Sequence, residues 1–342
     1  MAYKHGVYTS EVATSMVAPI TGTAGLQVIV GTAPVNMLKD PAAAVNVPLL
    51  VNSYKEAVEA VAICRLASYT LCECISANFS VVGIAPMVLI NVLDPAKHKV
   101  AITGGTVQVN DGVAVLEETG VLLEGLTVKS GSNTLTAGTD YTTTWNDDGT
   151  LNIVVLSTGA GKEATSLTVT GNKIDPSKVT AADIVGGVDS STGKETGLEV
   201  VRQVYPKLSM TPGILLAPRF SKDATVAAAL QAKTKSINSV FGAVCVVDID
   251  CSNTGATKYT AVKTTKEAQA VSDPNAYAVW PFAKVGNTVY SGSALAAALT
   301  AYTDAQNDDT PNVSPATRPL PFLPPASKMA RRWCLIRSRP TP

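Results

Sequence analysis

This sequence holds few of the residues from which most catalytic sites are built. Its 342 residues include only two histidines, His5 and His98. Neither lies near a nucleophile motif, so nothing in the sequence supports a Ser-His-Asp or Cys-His mechanism. Because His5 lies in the N-terminal segment and His98 stands between two lysines, we expect both at the surface. We expect no cofactor and no enzymatic activity.

The six cysteines are spaced unfavourably for metal or disulfide chemistry. No Cys-x-x-Cys pair occurs, and Cys72 and Cys74 are too close together for the usual zinc spacing. Cys64 and Cys72 fall in a predicted helix and Cys245 in a predicted strand, where a free cysteine acts as a small apolar residue. This pattern favours a reducing cytoplasm over a secreted location.

Charge and aromatic residues are also scarce. Lys plus Arg equals Asp plus Glu at 27 each, and aromatic residues make up 5% of the chain. A neutral chain without interleaved basic and aromatic residues has no platform for nucleic acid. Residues 74–93 are uncharged, but asparagine, serine and proline interrupt them, so we expect no membrane insertion. Lys4 is not followed by an apolar run, so no secretory signal is predicted.

Two glycine-lysine pairs superficially resemble phosphate-binding loops. They lie at residues 159–162 (GAGK) and 192–195 (TGKE). In both, glutamate follows the lysine where a phosphate loop requires Ser or Thr, and a carboxylate there would repel phosphate. We interpret both as turns.

The best candidate for a functional carboxylate pair is Asp248 with Asp250, at the end of an apolar strand. Ligands of open α/β sheets gather at the carboxyl ends of the strands, and an Asp-x-Asp pair there can hold a divalent cation. Two carboxylates leaving a buried strand can equally be solvated. An α/β enzyme with a metal at Asp248 and Asp250 is therefore the alternative function.

Apolar strands alternate with helices over most of the chain, which predicts an α/β core sheet with helices on both faces. Residues 53–56 (SYKE) are typical of a capping box, which begins a helix predicted to run to residue 76. Strands are predicted at 27–31, 87–93, 213–218, 243–248 and 276–282, and further helices at 198–205, 223–239, 264–271 and 293–302.

Between about residues 99 and 175 the helical pattern stops. Short alternating runs rich in Thr and Val are separated by turn signals at 110–112, 131–133, 146–149 and 159–161. Strands at this spacing predict a small all-β domain inserted into the α/β core. A surface or adhesive protein built around this insertion is a third, weaker possibility.

The first residues carry a strand signal of their own. Val7, Tyr8, Thr9, Ser10, Glu11 and Val12 alternate apolar and polar side chains, and the loop-like residues 13–25 follow. An unpaired strand at a chain start is a ready partner for the sheet edge of another chain. It can equally be the first strand of the main sheet.

Several segments resemble contractile phage tail sheath proteins. They are residues 5–11 (HGVYTSE), 19–24 (PITGTA), 28–34 (VIVGTAP), 46–57 (NVPLLVNSYKEA), 274–281 (PNAYAVWP) and 308–315 (DDTPNVSP). The resemblance implies a subunit of a contractile injection system, in a phage tail or a tail-like particle, assembled in the host cytoplasm. It implies a helical homo-oligomer around an inner tail tube protein, bounded by baseplate and tail terminator proteins. Contraction would need no nucleotide hydrolysis.

The resemblance also implies how subunits are linked. Terminal arms of sheath proteins exchange strands with neighbours, so residues 7–12 would be the inter-subunit strand and 13–25 its leash. The expected organisation is an N-terminal arm and linker (1–25), an α/β core in two parts (26–98 and 176–312) and an inserted β domain (99–175). Residues 313–342 form a Pro- and Arg-rich tail, where relatives continue into a domain that supplies a second arm. A changed reading frame, a truncation and genuine divergence all fit this tail.

Overall fold

The computed structural model describes residues 20–21, 23–63, 68–311, 313–315 and 336–337. Its strands, in chain order, are β1 (Ile20–Thr21), β2 (Gln27–Gly31), β3 (Pro48–Val51), β4 (Ile84–Ala85), β5 (Met87–Asn91), β6 (Lys99–Asn110), β7 (Val113–Thr119), β8 (Thr127–Ser130), β9 (Asn133–Leu135), β10 (Tyr141–Trp145), β11 (Thr150–Val155), β12 (Ser166–Ile174), β13 (Gly187–Val188), β14 (Glu195–Thr196), β15 (Ile214–Leu216), β16 (Val244–Asp248), β17 (Ala276–Val279), β18 (Ala283–Val285), β19 (Thr288–Tyr290) and β20 (Ile336–Arg337).

The α-helices are α1 (Tyr54–Val61), α2 (Thr70–Ser76), α3 (Ala181–Val185), α4 (Val204–Leu208), α5 (Ala224–Lys235), α6 (Tyr259–Ala268) and α7 (Gly292–Ala305). Short 3-10 helices span Val35–Met37, Pro41–Ala44, Pro176–Lys178 and Gly197–Gln203, and a π-helical turn spans Ala77–Val82. The mixture of helices and sheets confirms the predicted α/β class.

The main sheet has the strand order β20-β17-β16-β15-β2-β5-β3 over the described residues. Its inner strands are parallel, whereas β3 and β20 run antiparallel to their neighbours. Strands β2 and β5 are buried at every position, so both faces of the sheet are covered. This burial explains why both strands are continuous apolar runs in the sequence.

A second, wholly antiparallel sheet is built from residues 99–174. Its strand order is β10-β11-β7-β6-β12-β8-β9, and it encloses its own hydrophobic core, which includes Leu151, Ile153 and Leu167. The β6–β7 connection is a two-residue turn, Asp111–Gly112, with positive φ at both residues, as a tight hairpin requires. The division of the chain into domains stays a prediction.

The chain enters and leaves the second sheet at one point. The Asp175 N–H donates to the His98 carbonyl oxygen over 2.9 Å, so the residue before β6 and the residue after β12 lie side by side. The His98 ring is 2% exposed, and its Nδ1 accepts from the Asp94 N–H. The expectation that His98 lies at the surface is therefore wrong. Its Nε2 lies 3.4 Å from Asp183, which also pairs with Lys97.

The helix predicted over residues 53–76 is also wrong in its extent. Ser53 begins α1 as expected, because its Oγ accepts from the Glu56 N–H at 3.2 Å. The Glu56 carboxylate accepts from the N–H and the side-chain amide of Asn52, one residue before Ser53. At Ala62 the backbone turns to a φ of 55°, which ends α1, and α2 begins separately at Thr70. Farther along the chain, β18 and β19 pair as an antiparallel hairpin.

Candidate functional site

The predicted Asp248–Asp250 pair does not form one site. Asp248 is the last residue of β16 and is fully buried, whereas the Asp250 side chain is partly exposed beyond the strand end. The Asp250 carboxylate accepts from the backbone N–H and the hydroxyl of Ser252, so it closes a local turn. These hydrogen bonds lower the pKa of Asp250 although burial opposes them.

The Asp248 carboxylate is surrounded by donors from the protein itself. Ser293, at the start of α7, donates its N–H to Oδ1 and its hydroxyl to Oδ2, each over 2.7 Å. The Arg219 N–H donates to Oδ2 over 3.1 Å, and the Ser221 hydroxyl lies 3.5 Å away. Burial raises the pKa of Asp248, and the negative charge of Glu73 acts in the same direction. These oxygens hold α7 against the end of β16.

A second buried carboxylate, Glu73 of α2, lies in the same region. Its Oε2 accepts from Arg219 Nε over 2.6 Å, and its Oε1 accepts from the Ser291 N–H. Arg219 also donates to the Val289 carbonyl oxygen and lies 5.6 Å above the Phe282 ring. Arg219 therefore joins α2, the loop after β15 and the β18–β19 hairpin.

We call this group the carboxylate cluster. Its members are Glu73, Arg219, Ser221, Asp248, Ser291 and Ser293. It lies at the carboxyl end of the parallel strands, where an α/β enzyme would bind its ligand. Each carboxylate here is instead used to connect elements of the fold. Among the described residues, no group of three or more His, Cys, Asp or Glu side chains is placed to hold a metal ion. An enzyme with a metal at Asp248 and Asp250 is thus not favoured.

Sequence reasoning found Asp248 but missed Glu73 and Arg219. Arg219 is 146 residues from Glu73, so no local pattern connects them. Glu73 did give one signal, because it is the one charged residue in the sequence from residue 66 to residue 93. A buried acid in such a place requires a cationic or hydrogen-bonding partner.

The predicted inter-subunit strand, residues 7–12, lies outside the described residues. The chain is first described at β1, which pairs in parallel with β4. Beyond it, Thr23 donates from its N–H and its hydroxyl to the Asp309 carboxylate, over 2.8 Å and 2.7 Å. Part of the predicted linker is therefore attached to the α/β body.

The main sheet has two edges within the part of the chain that the structure describes. One is β3, which begins with Pro48. The other is β20, a two-residue strand that pairs with Tyr277 and Ala278 of β17. No described helix is long and apolar enough to cross a bilayer.

The chain is similar to a tail sheath protein of Burkholderia phage BcepMu. The two are 29% identical over 243 residues, which cover 70% of this chain and 48% of that protein. The chain thus spans about half the length of the curated relative it matches. No protein-family model matches the chain. The relative confirms the resemblance to phage tail sheath proteins that residues 5–57 and 274–315 indicate.

Proposed function

We propose that this chain is a structural subunit of a phage tail sheath. Such a subunit polymerises helically around an inner tail tube and contracts to drive the tube through a bacterial envelope. The similarity to the BcepMu tail sheath protein carries the proposal. The inner tube protein, the baseplate and the tail terminator are the partners, the virion tail is the location, and assembly takes place in the host cytoplasm.

The same proposal links subunits by strand exchange through residues 7–12. A strand of six residues added to a sheet edge makes about four backbone hydrogen bonds, worth about 4 kcal/mol before ordering costs. One link of this strength is weak, but many around a tube resist dissociation. Residues 13–25 are the leash, of which residues 20–21 and 23–25 make contacts with the body.

The edge formed by β17 and the short strand β20 is the better acceptor of such a strand. β3 begins with Pro48, which has no N–H to donate and is typical of strands that resist further pairing. β17 pairs with β20 at only two residues, and its other neighbour, β16, is parallel. An arm from an adjacent copy would take the place of β20 and pair along the whole of β17.

Contraction in this proposal is a rigid-body change between two packings of the same subunit. The free energy comes from the difference between two sets of contacts, so no nucleotide is hydrolysed. The covalent leash lets subunits rotate while the exchanged strands stay paired. The sheet of residues 99–174 is a peripheral decoration, supported by its own core and by the adjacent residues at which the chain enters and leaves it.

Electron microscopy of the purified full chain tests the assembly. We expect tubes or striated sleeves from the wild type, and discrete particles after Val7→Pro with Val12→Pro, because proline removes the ladder N–H groups. The matched control is Val7→Thr with Val12→Thr, which keeps those N–H groups and should still polymerise. Circular dichroism of all three proteins checks that the body stays folded.

Two results would reject the proposal in different ways. Intact tubes from the proline variant would reject strand exchange but leave the sheath assignment standing. Discrete wild-type particles with metal-dependent turnover, lost on Asp250→Asn, would instead favour the enzyme with a metal at Asp248 and Asp250.

A further inference from the structure

The segment that joins the predicted arm to β2 is held closely against α7. Gly25 passes so near the helix that an added Cβ would lie 2.9 Å from the Ala301 Cα. Side chains larger than hydrogen are therefore excluded there. This contact fixes the position of the chain between β1 and β2.

The Thr23–Asp309 contact secures the same segment from its other side. The Thr23 N–H lies 3.0 Å and 2.8 Å from the two carboxylate oxygens of Asp309, and its hydroxyl lies 2.7 Å from the second. Asp308 and Asp309 have φ values of 53° and 59°, a conformation that non-glycine residues adopt at a cost. This backbone, which follows the end of α7, turns the Asp309 carboxylate toward Thr23.

A second carboxylate, Asp304, lies within the last turn of α7 and faces the same segment. It is 5% exposed, and its Oδ2 lies 3.4 Å from the position of a Cβ on Gly25. Burial raises the pKa of Asp304 to about 6, and the charge of Asp309 adds to the effect. Hydrogen bonds from Thr23 act against burial and lower the pKa of Asp309.

Among the described elements packed against α7, none carries a cation that could compensate the charge of Asp304. The described elements packed against α7 are β1, β2, β4, β15, β16, β17, α2 and the π-helical turn Ala77–Val82. The charged residues in these elements are Glu73 and Asp248, and both are acids. The charges next to Asp304 are those of Asp308 and Asp309, both negative. Ionised Asp304 therefore repels the carboxylate that holds Thr23.

We propose that the Thr23–Asp309 contact is a pH-sensitive latch on the root of the N-terminal arm. It is tight when Asp304 is neutral and looser when Asp304 is ionised. The name "arm" rests on the proposed function, but the latch is a property of one chain. Its failure can therefore be distinguished from failure of the sheath assignment.

Amide hydrogen exchange of Thr23 and Ala24 in the full chain, at a concentration too low for polymers, tests the latch. After correction for intrinsic rates, we expect about 5-fold more protection at about pH 5 than at about pH 7.5, as expected for one nearby like charge. Asp309→Asn should lower protection about 10-fold at both pH values, because it removes a charged acceptor.

Two further variants separate the roles of the residues. Asp304→Asn, which is neutral at every pH, should keep high protection at both pH values. Thr23→Val removes only the hydroxyl and should keep the pH dependence. The wild-type pH series needs no substitution, so misfolding of a variant leaves the test intact. Equal wild-type protection at both pH values would overturn the switch, and unchanged protection in Asp309→Asn would overturn the latch.

Discussion

Replacing Arg219 with methionine should strongly destabilise the α/β body. Methionine preserves most of the side-chain volume but removes the cation that faces Glu73. The Glu73 carboxylate is only 4% exposed, and Arg219 Nε lies 2.6 Å from it. After the substitution, the Ser291 N–H is the hydrogen-bond donor that remains to Glu73.

The size of the effect follows from this burial. Removing one partner of a buried ion pair costs about 3–5 kcal/mol, because the other charge stays desolvated. Arg219 itself is 31% exposed, so water can partly replace it and the lower end of that range applies. The lost bond to the Val289 carbonyl oxygen adds roughly 0.5–1 kcal/mol. We expect the free energy of unfolding to fall by about 3–4 kcal/mol.

Urea unfolding, monitored by tryptophan fluorescence, measures this change in the free energy of unfolding. Trp280 follows β17 and donates from its ring N–H to the Ala256 carbonyl oxygen, so it reports on the body. The matched control is Lys222→Met, since Lys222 is half exposed and lies 4.0 Å from Asp250. An exposed pair of this kind contributes less than about 1 kcal/mol.

A double substitution completes the test. Glu73→Gln together with Arg219→Met removes the buried charge, so it should recover part of the loss seen for Arg219→Met alone. A loss below about 1 kcal/mol in Arg219→Met, equal to that of the Lys222 control, would refute the view that the carboxylate cluster connects the fold.

Three further predictions concern other parts of the molecule. Asp304 has a pKa of about 6 when folded and an ordinary value of 3.8, so the folded chain holds its proton more tightly. The free energy of unfolding should fall as pH rises from about 4 to 6, by at most about 3 kcal/mol, and Asp304→Asn should flatten this decline in urea titrations. A short glycine linker from His98 to Asp175, in place of residues 99–174, should leave a body that still unfolds cooperatively when unfolding is followed by fluorescence. The reason is that His98 and Asp175 are already hydrogen-bonded to each other. An unfolded product would contradict this prediction. Gly213→Ala should lower the unfolding midpoint and the free energy of unfolding, the latter by about 1–3 kcal/mol, because the new Cβ would lie 2.5 Å from the Ala24 carbonyl oxygen. The control is Gly187→Ala, whose Cβ would meet no atom within 4 Å and should change the free energy of unfolding little.

The sequence predicted best those elements whose burial is regular. The strand at 27–31 coincides with β2 because both faces of that strand are covered, so its apolar run has no interruption. The hairpin turn at 110–112 was predictable since Asp-Gly supplies two residues that tolerate positive φ. In both cases the local sequence pattern is sufficient to identify the element.

Features set by distant contacts were not predictable in this way. Nothing near Ala62 in the sequence indicates a positive φ, yet Ala62 adopts one and α1 ends there. His98 stands between lysines in the sequence, but hydrogen bonding to Asp94 and proximity to Asp183 keep its ring buried. The partnership of Glu73 with Arg219 likewise arises only when α2 meets the loop after β15.

Helix α7 connects two features that lie at its opposite ends. Its first turn is joined to the buried acids through the N–H groups of Ser291 and Ser293. Its last turn and the residues beyond it hold Thr23 through Asp309. Fourteen residues span roughly 21 Å, and nearly all of them are buried. A pulling force on the N-terminal segment would therefore be transmitted along α7 to the carboxylate cluster. The same force would not act directly on the hydrogen bonds of β2, the strand that follows this segment.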